Sequence, residues 1–140
     1  MRIVLDTSVI VSAIRSRLGA SSALLKLAAS GSFEMLATPA LFLEYEEVVY
    51  REEHRAVHGL SDERIEEFLR GLAAMMTPVR VYCQWRPQML DAGDELVLEA
   101  ALNGRADRIV THNVRDFLPA ASRFQLSVVT PAVFIREVKG

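Results

Sequence analysis

The chain opens on Ile3-Val4-Leu5, an unbroken apolar run that stops at Asp6. A strand with one wet face alternates apolar and polar residues. A run that is apolar at every position is buried on both faces, and such strands belong to parallel sheets covered by helices. Further short strand patterns lie at residues 33–37, 79–83, 108–111 and 126–129. Helical spacing fills the intervals at residues 8–14 and 21–29, the second closed by Gly31. Thr38-Pro39 starts a helix that runs to Tyr50, with Thr as N-cap and Pro at the first helical position. Residues 51–59 read as a loop or a frayed helix end. Ser61 caps a helix with Ile65, Phe68, Leu69, Leu72 and Met76 on its apolar face, stopped at Pro78. Residues 92–102 form a helix ended by Asn103-Gly104, and Thr130-Pro131 starts a last one through Val138. Strands alternating with helices predict one three-layer α/β/α domain over residues 1–140, with a central, mostly parallel sheet of about four to five strands.

At 140 residues and 51% apolar content the chain can bury a core without covalent staples. Cys83 is the only cysteine, which excludes an intrachain disulfide and suits a reducing cytoplasm. No stretch approaches the roughly 20 apolar residues that span a bilayer, and the N-terminal run has neither the basic start nor the cleavage site of a signal peptide. A soluble cytoplasmic protein with no membrane partner is expected. The formal charge of −2 at first opposes a nucleic-acid partner. Setting four of the 18 acids aside in one site leaves 14 against 16 bases, of which all but Lys26 and Lys139 are arginine. The planar guanidinium fork suits phosphate oxygens, so the composition permits nucleic acid without requiring it.

Four acids fall where apolar faces or strand ends would place them inward. Asp6 follows the first strand, and ligands of parallel sheets bind at the carboxyl ends of strands. Glu44 sits three residues after Leu41 and four before Val48, inside the apolar stripe of its helix. Asp94 begins the stripe of Val97, Leu98, Ala101 and Leu102, while Glu95 and Glu99 lean outward. Asp116 follows the short strand that ends at Thr111. An inward carboxylate costs several kcal/mol unless it is paired or coordinated. Ordinary explanations exist for each: an arginine partner for Glu44, a helix-dipole position for Asp94, a turn pairing with Arg115 for Asp116. Together they point to hard oxygen ligands around Mg²⁺ or Mn²⁺, which orient attack on phosphorus and lower the pKa of water. No nucleophile triad is present in the pattern.

At these residues the sequence resembles the PIN-domain family, in particular its bacterial branch of toxin components related to VapC-like toxins. The resemblance rests on Asp6-Thr7-Ser8-Val9, Leu43-Glu44-Tyr45 with Val48 and Arg51, Asp91-Ala92-Gly93-Asp94-Glu95 with Leu98 and Ala101, residues 106–111, and Thr130-Pro131 with Phe134. It implies an endoribonuclease dependent on Mg²⁺ or Mn²⁺, with Asp6, Glu44 and Asp94 as metal-binding, catalytic acids and Asp116 as the fourth. Thr7, Ser8, Thr111 and Asn113 would be supporting polar groups. It further implies an RNA substrate, a cognate antitoxin protein and a homodimer. Many members carry Asn at Ser8, Pro at Ala92, Asp at Glu95 and Asp at Asn113. The last difference leaves open whether Asp116 or Asn113 completes the site.

Rival chemistries lack their residues. A phosphatase working through an aspartyl phosphate needs a second Asp two positions after Asp6, where Ser8 stands, and a phospho-receiver needs a late lysine in the sheet. His54 and His58 share helical spacing but have no third zinc ligand, and read as solvated. The alternative from another class is a catalytically weak module that binds RNA or a protein. A DNA nuclease would use the same metal chemistry, yet the sequence has no clear basic stripe for a duplex. Cys83 reads as a small core hydrophobe and Trp85 as the cap of its strand. The helix around Ile65 to Met76 offers either a core face or a dimer or antitoxin surface.

Overall fold

The computed structural model describes every residue except Trp85 and Pro87, so the capping role expected of Trp85 lies outside the described residues. The chain runs β1 (Arg2–Leu5), α1 (Thr7–Arg15), α2 (Ala20–Ala29), β2 (Glu34–Ala37), α3 (Pro39–Tyr50), α4 (Glu52–His58), α5 (Asp62–Met75), β3 (Met76–Pro78), α6 (Ala92–Gly104), β4 (Arg108–Val110), α7 (Val114–Phe124), β5 (Ser127–Val129) and α8 (Pro131–Lys139). The strands form one sheet in the order β3-β2-β1-β4-β5, parallel at every pairing and flanked by helices. Ile3, Val4 and Leu5 are wholly buried at its centre, as an all-apolar run requires.

The chain winds outward from β1 through β2 to β3 and then returns to place β4 on the other side of β1. That reversal opens a crevice at the carboxyl ends of β1 and β4, where open parallel sheets bind ligands. The expected helix caps hold: Thr38 Oγ1 accepts from Leu41 N at 3.1 Å and Thr130 Oγ1 from Val133 N at 3.3 Å. Ser61 Oγ accepts from Arg64 N at 3.3 Å. On α5, Ile65, Leu69 and Leu72 are buried, so that face is core.

Several expectations are corrected. Residues 52–58 form a helix in their own right, ended by Gly59 in the left-handed conformation at φ +62. The helix from Ser61 stops at Met75, and the edge strand is Met76–Pro78, in register with Met35, Leu36 and Ala37. Pro78 fits there because an edge strand needs no donor on its outer side. Residues 79–83, read as a strand from their alternation, form no strand, although the Val79 amide still donates to Ala37 O of β2 at 2.9 Å. The amides of Tyr82 and Cys83 donate instead to the Asn103 side chain, and Cys83 is exposed rather than core. Gly104 closes α6 from inside, and the left-handed residue is Arg105 at φ 52. A Cβ at Gly104 would stand 2.8 Å from Leu36 Cδ1 and 3.0 Å from Val79 Cγ2, so close packing rather than φ requires glycine.

Candidate active site

Asp6 is delivered by β1 and is 3% exposed. Its Oδ2 accepts hydrogen bonds from Ser8 Oγ and Thr111 Oγ1, each at 2.7 Å, and Oδ1 takes neither. The support extends further: Asn113 N donates to Thr111 Oγ1 at 2.9 Å, and His112 N donates to Ser8 Oγ at 3.1 Å. Behind β1, the buried Tyr45 hydroxyl donates to the Leu5 carbonyl and ties α3 to the strand end. A carboxylate fixed by two hydroxyls cannot swing away, so its remaining oxygen is preorganised for a cation or a donor.

Glu44 projects from α3 and is partly buried. Arg51 Nη2 stands 3.9 Å from its Oε1 but lies closer to Glu47, at 3.1 Å. The arginine is therefore shared between two acids and does not fully neutralise Glu44. Burial raises the Glu44 pKa above the usual carboxylate value, reinforced by Glu47 and Asp91 and opposed by Arg51. Asp91, at the N-cap of α6, accepts from Gly93 N at 2.8 Å and Asp94 N at 3.1 Å. Gly93 allows the close approach here, since a Cβ would meet Asp91 Oδ1 at 3.0 Å and Glu44 Oε1 at 3.1 Å.

Asp94 sits in the first turn of α6 and its pKa is pushed up to about 7, first by burial and then by Asp6, Asp91 and Asp116. A carboxylate that holds its proton near neutrality beside three other acids marks a concentration of negative potential. Asp116 lies in the first turn of α7, a helix not foreseen in the sequence, so it is no turn residue.

Asp6, Glu44, Asp94 and Asp116 all line one cleft of about 940 Å³, together with Thr7, Ser8 and Asn113. Thr111 stands behind it, fully buried. Four separate elements thus bring the four acids to the crevice at the topological reversal. Sequence reasoning passed over Asp91, Arg15, Arg51, His54 and His112 as cleft residues. Asp91 had a readable signal, an acid at an N-cap three residues before Asp94; the basic groups had none. His54 is half-buried at the cleft rather than solvated, and half-buried His58 accepts from Leu60 N at 3.0 Å, so the two form no metal pair. Glu95 and Glu99, expected to lean outward, are both buried.

The donor set is all oxygen, which fits Mg²⁺ or Mn²⁺. Among the described residues no three acids, histidines or cysteines stand close enough to enclose an ion by themselves. That is compatible with Mg²⁺, which keeps several waters and is held by one or two carboxylates plus substrate phosphate rather than by a closed protein cage.

A family model described as PIN domain matches residues 2–115. A search of curated proteins gives no significant match. Among solved structures, one chain of VapBC2 from Rickettsia felis, bound to a DNA fragment from its promoter, superposes with a TM-score of 0.63 at 15% identity. The match covers 93% of this chain and 98% of that one. A chain of FitAB bound to an IR36 DNA fragment gives a TM-score of 0.55 at 19% identity, over 92% of this chain and 94% of its own. At such identities the likeness establishes a shared fold.

Proposed function

Because the chain belongs to the PIN-domain family, we propose that it is an endoribonuclease dependent on Mg²⁺ or Mn²⁺ and the toxin of a toxin and antitoxin pair. The observation that carries this reading is the convergence of Asp6, Glu44, Asp94 and Asp116 from four elements onto one cleft. A bound divalent ion would lower the pKa of a water and offset charge on the phosphodiester oxygens. Asp6, held by Ser8 and Thr111, and Asp94 are the residues that would hold it, with Glu44 and Asp116 at the cleft walls. Asp94 must release its proton to serve, and a cation beside it would favour that release. Asp116 is taken as the fourth acid, a reading supported by its place on the cleft wall, with Asn113 as a support whose backbone amide donates to Thr111 Oγ1.

The antitoxin partner is supported by the likeness to VapBC2 and FitAB, and the cytoplasmic setting rests on the family resemblance; among the described residues no helix is long and apolar enough to cross a membrane. The homodimer rests on family resemblance. A second reading, a PIN-like module that binds RNA or protein without cutting it, draws on the spacing of the cleft acids, since among the described residues no three stand close enough to enclose an ion. One experiment separates the two. A labelled RNA pool is incubated with the purified protein and Mg²⁺ or Mn²⁺, beside EDTA and an Asp6→Asn, Asp94→Asn double variant. Metal-dependent cutting lost in the folded double variant is expected. Equal behaviour of wild type and variant removes the nuclease reading and leaves binding.

A further inference from the structure

Between β3 and α6, the described residues of the stretch 79–91 form no helix or strand, yet several of them are tied down. The segment runs back along α6. At its start, Val79 packs on the bare Cα of Gly104. Next, Asn103 Oδ1 accepts from Tyr82 N at 2.8 Å and Cys83 N at 3.0 Å, and its Nδ2 donates to Cys83 O and Glu99 O, both at 2.9 Å. One turn earlier on α6, Glu99 Oε2 pairs with Arg86 at 2.9 Å. One turn earlier again, Glu95 Oε1 accepts the backbone amides of Gln88 and Met89, the latter at 2.5 Å. The segment then turns into α6 at Asp91, whose carboxylate caps the helix carrying Asp94.

Residues 95, 99 and 103 are spaced by four, so they form one row on the helix. Buried carboxylates need partners, and backbone amides without a ladder need acceptors. Glu95 and the Gln88 and Met89 amides satisfy each other, and Asn103 serves the Tyr82 and Cys83 amides, so beyond Val79, whose amide still donates to Ala37 O at 2.9 Å, the row stands in for a strand neighbour. Glu99 gives one oxygen to Arg86 and keeps Oε1 buried without a hydrogen bond among the described residues. Arg123 of α7 donates to the Gln88 side chain, so the segment also touches the helix that carries Asp116.

We propose that Glu95, Glu99 and Asn103 are positioning residues that hold residues 79–91 along α6 and thereby set Asp91 and Asp94 at the cleft. The inference rests on the nuclease reading for its consequence, and on hydrogen bonds for its geometry. Asn103 lies nine residues from Asp94, roughly 13 Å along the helix, so it stands too far off to touch Asp94 itself.

The test uses the full chain with Glu95→Ala, Glu95→Gln, Asn103→Ala and Asn103→Asp. Three quantities are read: amide exchange over residues 82–90, the Mn²⁺ dissociation constant by electron paramagnetic resonance, and cleavage of the labelled RNA pool. Both alanine variants are expected to speed exchange and to weaken Mn²⁺ binding and cleavage by about tenfold or more. Glu95→Gln keeps the accepting oxygen and is expected to stay near wild type, whereas Asn103→Asp keeps the acceptor for Tyr82 and Cys83 but loses both Nδ2 donations and is expected to fall between wild type and Asn103→Ala. Alanine variants with fast exchange but wild-type Mn²⁺ affinity overturn the proposal. So do alanine variants whose exchange is unchanged, and so does a Glu95→Gln as damaged as Glu95→Ala, which would make the charge a ligand. If the alanine variants unfold, Asn103→Ser supplies the same comparison. A wild type that cuts no RNA defeats the nuclease reading alone, and exchange with Mn²⁺ affinity then decides this one.

Discussion

Asp94 carries a consequence for stability that can be read without substrate. Its pKa rises in the folded protein from 3.8 to about 7, so the folded state binds this proton more tightly than the unfolded chain does. Stability is therefore lost as pH climbs from about 4 to 7, because the ionised form must be buried and must sit beside Asp6, Asp91 and Asp116. Asp94→Asn removes that repulsion. In EDTA at pH 8 it is expected to melt a few degrees above wild type, with the advantage shrinking at pH 5; a variant that melts lower at pH 8 would refute the electrostatic account. Gly93→Ala tests the neighbouring close approach. Its Cβ would press on the Asp91 and Glu44 carboxylates, so it is expected to keep the fold while lowering Mn²⁺ affinity, measured by titration. Asp6 and Glu44 were legible in the sequence because each broke an apolar pattern. Glu95 and Glu99 were not, since their partners are the Gln88 and Met89 amides and Arg86, contacts that helical phase alone cannot reveal.

Among the elements, the strands and caps governed by local rules were readable, and those governed by distant contacts were misplaced. Thr38-Pro39 and Thr130-Pro131 cap helices through their own hydroxyls, so four residues suffice to place them. The edge strand is different. Val79-Arg80-Val81-Tyr82-Cys83 alternates better than Met76-Thr77-Pro78, but pairing with β2 is won by the shorter segment, and Asn103 takes the amides of Tyr82 and Cys83. The helix bearing Asp116 was obscured by Pro119 within it. Two substitutions test the contacts that decided these placements. Gly104→Ala brings a methyl within 2.8 Å of Leu36 and is expected to cost about 1–3 kcal/mol by chemical denaturation. Arg86→Ala leaves buried Glu99 without its cation, at an expected cost of about 1–3 kcal/mol. Glu99→Gln should recover part of that loss in the Arg86→Ala background, since an amide tolerates burial without a counter-charge.

At the scale of the whole molecule, the sheet order decides where charge accumulates. The reversal between β1 and β4 puts Asp6 and the Thr111 to Asn113 turn side by side, and α3, α6 and α7 each aim an acid at the same crevice. A protein with a formal charge of only −2 thus concentrates its negative potential in one place. A cation should relieve that concentration of charge. Binding to the folded state alone stabilises by mass action, about 1.4 kcal/mol at ten times the dissociation constant, or a rise of a few degrees in Tm. Mn²⁺ at pH 8 is expected to raise the melting temperature by that amount, and Asp6→Asn to abolish the rise. At pH 5 the rise should be smaller even in wild type, because Asp94 then holds a proton that the ion must displace. The decisive comparison is wild type against Asp6→Asn across both pH values with Ca²⁺-free Mn²⁺. A rise that survives Asp6→Asn would place the cation elsewhere, whereas a rise that needs both Asp6 and high pH ties the ion to the acids gathered by the reversal of the sheet.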